Sequence, residues 1–152
     1  MASLNKIAAD ERASMKAFIF WTANVSLIAG AGLQFPKISS MLMPSAPPGM
    51  FLHVFGLMAM FLGVMLILCS RDLPRRGSLV AWEGVLRIGG FGVMAGYGIF
   101  DGEGAQVAVA GLFDLVVGLA YLVGLPKHLG VSLATLLFDR SVALHSNRVN
   151  SI

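Results

Sequence analysis

Four long apolar runs alternate along this chain with short polar or proline-rich breaks. They cover about residues 17–35, 50–69, 79–100 and 105–125. Each approaches or exceeds the roughly 20 residues that a helix needs to cross a hydrocarbon core about 30 Å thick. The pattern predicts an all-α chain, a four-helix transmembrane bundle with a short C-terminal interfacial amphipathic helix.

The breaks set the expected boundaries. Residues 1–16 are mixed polar and are read as a cytoplasmic segment, with a brief interfacial helix over 8–16. The first run (AFIFWTANVSLIAGAGLQF) carries Trp21 near its start, where an aromatic ring suits the membrane interface. Pro36 is expected to end it, because proline disfavours helical geometry in the residue before it. Residues 36–49 (PKISSMLMPSAPPG) are expected to be a loop, with Pro44, Pro47 and Pro48 opposing a regular helix. SRDLPRRGS after the second run predicts a compact basic turn, and Asp101-Gly-Glu103-Gly a short acidic link. Pro126 is expected to close the fourth span. In the tail, residues 127–152, Leu129, Leu133, Leu136 and Leu137 fall at helical spacing in a stretch too short to span. An amphipathic helix on the membrane surface, followed by a frayed polar end, is the expectation there.

Composition agrees. Hydrophobic residues make up 57% and charged residues 12% of the 152, and mean hydropathy is +0.79. Soluble domains carry about 25% charged residues. The net charge of +3 does not point to nucleic acid, because there is no basic stripe with interleaved aromatics. The basic residues instead border the apolar runs. Lys6, Arg12, Lys16, Arg71, Arg75, Arg76, Lys127, Arg140 and Arg148 fall on one side of the predicted bundle and Lys37 alone on the other. The positive-inside rule then places both termini and the 70–78 turn in the cytoplasm. The first run is too long, and too poorly followed by small residues, for a cleavable signal peptide. The single cysteine, Cys69, excludes an intramolecular disulfide and reads as a small buried apolar residue.

The third run, WEGVLRIGGFGVMAGYGIF, departs from a plain apolar helix. It places Glu83 and Arg87 one turn apart, and then five glycines: Gly89, Gly90, Gly92, Gly96 and Gly98. At about 1.5 Å per residue, Arg87 lies roughly 12 Å below one membrane face and Asp114 of the fourth run roughly 13 Å below the other. Both reach the midplane, and the short link makes their helices antiparallel neighbours. An unpaired charge there costs at least about 2.5–3.5 kcal/mol. An Arg87–Asp114 ion pair is therefore expected inside the bundle, with Asn24, at similar depth, hydrogen-bonded to it or nearby and Glu83 placed to share the guanidinium. Two readings of this polar cluster stay open: a fixed helix register, or a site for a small molecule or a proton.

Gly92 and Gly96 form a small-xxx-small pair that Gly89 extends, and such faces let helices approach closely in lipid. Packing within the bundle is the first reading and homodimerisation the second. Gly111 and Gly118 share a face of the fourth run with Asp114 and read the same way. A cofactor loop is excluded at Gly89–Gly92, since no strand precedes it. His53 has no second ligand at metal-binding spacing and reads as an interfacial histidine. The methionines of the second run (Met58, Met60, Met65) read as packing, and no nucleophile with an accompanying base is visible. The sequence implies no metal and no cofactor.

The four runs, the glycine-dense GGFGVMAGYG and the LFDLVVGLAYLVGL of the fourth run resemble the DoxX-like family of small bacterial membrane proteins, over residues 15–126. The resemblance implies a multi-pass protein of the bacterial inner membrane. Some members of that family accompany oxidoreductases, and no catalytic motif transfers residue by residue. The leading expectation is an accessory or structural subunit of a larger inner-membrane complex, including one that handles electrons, with other membrane subunits or a second copy as partners. The alternatives are a small-molecule or lipid binding or transport protein using the polar cluster and, behind it, a membrane oxidoreductase component.

Overall fold

In a computed structural model, residues 2–42, 50–100 and 105–138 are described, and among them every regular element is helical. Four are long: α1 (Ala2–Gly32), α3 (Met50–Arg71), α4 (Leu73–Phe100) and α5 (Ala105–Leu129). Two are short: α2 (Pro36–Leu42) and α6 (Leu133–Leu137). The acidic link at 101–104, the prolines at 44, 47 and 48, and the tail from 139 lie outside the described residues.

Several boundaries differ from expectation for identifiable reasons. α1 runs unbroken from Ala2, because nothing between the polar start and the apolar run breaks a helix. Pro36 does not merely end a helix but begins α2, a position where its fixed φ fits and its missing N–H is not required. α4 starts at Leu73 rather than at 79, with Pro74 tolerated in the first turn, so the basic turn shrinks to the residues around Asp72. Pro126 lies inside α5, which continues to Leu129. Gly130, at φ 66°, then turns the chain, and the Ser132 side chain caps α6 by accepting from the Thr135 N–H.

Three helical stretches are long and apolar enough to cross a membrane: Leu52–Arg71, Leu73–Phe100 and Val107–Leu129. α1 falls outside this set, because Lys16, Thr22, Asn24 and Ser26 dilute its apolar run.

α1 packs chiefly on α3, and α4 chiefly on α5. Each pairing is antiparallel and each crosses at two glycines that leave room for one another. A Cβ on Gly30 would lie 2.5 Å from the Gly56 carbonyl oxygen, and one on Gly56 would lie 2.7 Å from the Gly30 oxygen. In the second pair, a Cβ on Gly118 would lie 2.8 Å from the Gly84 oxygen. These are the close backbone approaches that small residues permit between membrane helices.

The two pairs meet through a core at the basic end of the molecule. It joins Ile19 and Ala23 of α1, Leu66 and Cys69 of α3, Leu73, Val80 and Ala81 of α4, and Val117, Tyr121 and Leu125 of α5. Leu136 of α6 completes it at 1% exposure. The short C-terminal helix is thus tied to the protein rather than resting on it: the Trp82 Nε1–H also donates to the Leu137 carbonyl at 2.9 Å. Beyond Glu83 and Gly84, no residue of α4 is buried.

Candidate functional site

The polar groups of the helices converge just outside this core, on faces that the sequence defines. On α5, residues 111, 114, 118, 121 and 125 recur every three or four positions, so Gly111, Asp114, Gly118, Tyr121 and Leu125 share one face. On α4, Glu83 and Arg87 are one turn apart. On α1, Thr22 and Ser26 repeat that spacing.

Arg87 is the hub. Its Nε–H donates to Glu83 Oε1 at 2.6 Å, its Nη1–H to Asp114 Oδ1 at 2.5 Å, and its Nη2–H to Ser26 Oγ at 2.9 Å. One guanidinium thus ties α1, α4 and α5 together, using the fork geometry that lets arginine serve two carboxylates. The side chains are largely withdrawn, with 10% of Arg87, 6% of Glu83 and 24% of Asp114 exposed. One turn toward the basic end, the Thr22 and Tyr121 hydroxyls hydrogen-bond to each other, and the Thr22 hydroxyl also contacts the carbonyls of Phe18 and Ile19. The polar seam therefore runs Tyr121, Thr22, Ser26, Arg87, and then the two carboxylates.

One atom in this seam lacks a partner. Glu83 Oε2 is buried and accepts no hydrogen bond from the described residues. Glu83 also contributes to the wall of a cleft between α3 and α4, otherwise lined by Phe61, Leu62, Met65, Leu66, Cys69, Leu79, Trp82 and Leu86.

Of the expected cluster, the structure brings Glu83, Arg87 and Asp114 together and leaves Asn24 out. The Asn24 side chain donates instead to the Phe20 carbonyl of its own helix at 2.7 Å. It lies two residues from Ser26, hence about 200° away around the helix, and cannot face the same neighbour. Ser26, polar near the middle of the first run but left out of the expected cluster, takes its place, and Tyr121 was likewise left out. Both lay at legible positions: Ser26 one turn from Thr22, and Tyr121 two turns from Asp114.

The glycines divide. Gly111 packs against Met94 and Phe91, and Gly118 against Gly84, Ile88 and Arg87. Gly89, Gly92 and Gly96 do not pack on any other described residue, since nothing among those residues lies within 4 Å of a Cβ built on any of them. The cause is helical phase. With Arg87 turned inward, Gly92 and Gly96 fall about 140° and 180° away from it.

His53 is half-buried, and its carbonyl accepts from Gln34 Nε2 at 3.1 Å, a bond that joins α3 to the end of α1. Cys69 is buried in the core. Among the described residues, no three His, Cys, Asp or Glu side chains are placed to hold a metal ion. The seam can hold charge, orient hydroxyls and accept a further hydrogen bond at Glu83 Oε2.

The class these features define is a helical protein whose spans are apolar enough for a membrane and whose interior carries charge. Comparison with protein-family models, curated proteins and solved structures gave no match.

Proposed function

We propose that the protein is an integral membrane protein of four spans, α1 being the fourth, that serves as a non-catalytic subunit of a larger inner-membrane assembly. In this reading the two helix pairs close as a four-helix bundle, with both termini and the Arg71–Arg76 turn in the cytoplasm, following the asymmetry of the basic residues. The DoxX-like resemblance belongs to the same reading, as does an electron-handling complex as the setting.

The observation that carries the proposal is the outward face of α4. Among the described residues, Gly89, Gly92 and Gly96 meet nothing in their own chain. Val93, Tyr97, Ile99 and Phe100 around them are exposed at 54–84%. A lipid-facing helix gains contact from large side chains, whereas a row of glycines gains little against lipid and much against another helix. The Arg87 cluster, in this reading, holds the helices in the register that presents this face.

The test is extraction from native membranes in mild detergent, followed by native electrophoresis and mass measurement. The expected result is a species of defined stoichiometry larger than the monomer. Gly92→Leu with Gly96→Leu should reduce it to the free chain without lowering that chain's melting temperature. A wild-type protein that remains monomeric both in native membranes and in nanodiscs at high protein density overturns the proposal.

A further inference from the structure

The cleft between α3 and α4 has a volume of about 230 Å³. Its walls are apolar side chains, and Glu83 is the only ionisable carboxylate among them. Phe61, Leu79, Trp82 and Leu86 at its rim are 49–65% exposed, so the cleft opens sideways, on the flank that lipid would cover.

Two features of Glu83 make this cleft more than a packing gap. Its side chain is 6% exposed, and Oε1 is taken by Arg87, yet Oε2 has no hydrogen-bond partner among the described residues. A buried carboxylate oxygen left in that state is costly. The seam is also unbalanced, because Glu83 and Asp114 together face the single cation Arg87. The second carboxylate in this apolar setting must be met either by a proton or by a second cation.

We propose that the cleft binds a lipophilic amine: a small ammonium head that donates to Glu83 Oε2 and neutralises the surplus charge, carried on an apolar chain that lies along Leu62, Met65 and Leu86 and leaves through the open side. An ammonium supplies both missing elements, a donor and a positive charge. An alcohol of equal length supplies only the donor, and a fatty acid repeats the charge already in excess. This inference is independent of the assembly proposed above, because the cleft lies between α3 and α4 and makes no use of Gly89, Gly92 or Gly96.

Trp82 at the rim provides the readout. The chain's other tryptophan, Trp21, is removed by Trp21→Phe. That variant in nanodiscs of zwitterionic lipid is titrated with bromine-labelled dodecylamine, dodecanol and dodecanoate, and quenching of Trp82 is followed. The amine should quench saturably and bind at least about tenfold more tightly than the alcohol, with the acid weakest, as expected for a hydrogen bond to a buried charge. Glu83→Gln should remove that preference. Leu62→Trp in the same background, read by direct binding of radiolabelled dodecylamine so that the added indole stays out of the signal, should lose that binding while leaving Glu83 in place. Equal, non-saturating quenching by all three compounds, or an amine preference that survives Glu83→Gln, overturns the proposal. Tighter binding of the alcohol than the amine overturns the charge argument and the assignment with it. Should Glu83→Gln fail to fold, Leu62→Trp and the three-ligand series decide the matter alone.

Discussion

Removing Arg87 and removing Asp114 should have unequal effects, although the two residues form one ion pair. Asp114→Asn leaves the guanidinium bonded to Glu83 Oε1 and Ser26 Oγ, and the new amide oxygen can still accept from Nη1. Only one charge-assisted bond weakens, for an expected loss of about 1–2 kcal/mol. Arg87→Gln instead leaves Glu83 and Asp114, at 6% and 24% exposure, without a cation. Breaking a buried ion pair from one side costs about 3–5 kcal/mol, and here two like charges are left behind. The double variant retains a single carboxylate and should recover part of the loss, giving a coupling of about 1–3 kcal/mol. The assay is equilibrium unfolding in mixed micelles at rising SDS fraction, followed by far-ultraviolet circular dichroism on the four proteins of the cycle. Additive single effects, or an Asp114→Asn variant as unstable as Arg87→Gln, would refute the hub geometry.

Further expectations concern packing. Gly30→Val should separate α1 from α3 and cost several kcal/mol, since even its Cβ would sit 2.5 Å from the Gly56 oxygen and 2.8 Å from the Met60 nitrogen; a melting temperature equal to wild type would contradict the crossing. Gly92→Ala should leave the isolated chain unchanged or stabilise it by up to about 1 kcal/mol through helix propensity, read as a melting temperature in detergent. Trp82→Phe removes the hydrogen bond to the Leu137 carbonyl, so limited proteolysis around residues 130–138 should accelerate, with a stability loss of about 0.5–1.5 kcal/mol. Tyr121→Phe should cost about 1 kcal/mol and no more, because Thr22 keeps its contacts to the Phe18 and Ile19 carbonyls.

Helical class, the apolar character of the spans and the need for Arg87 to meet a carboxylate were determined by the sequence alone. Each follows from local composition or from the cost of leaving a charge unpaired in an apolar setting, and none of the three depends on which helix is the neighbour. The glycine reading shows where local information ended. Gly92 and Gly96 make a more conspicuous small-residue pattern than Gly84, yet they cannot share an inward face with Arg87, and a check of helical phase would have shown this. The preference for Ser26 over Asn24 was legible in the same way, from its one-turn spacing to Thr22. What only the tertiary structure decided is how the helices pair. Gly30 meets Gly56 and Gly84 meets Gly118 because two backbones must be small at the same height, and no single segment carries that condition. The same holds for the cleft beside Glu83, which exists because α3 and α4 each pack more closely on another helix than on one another.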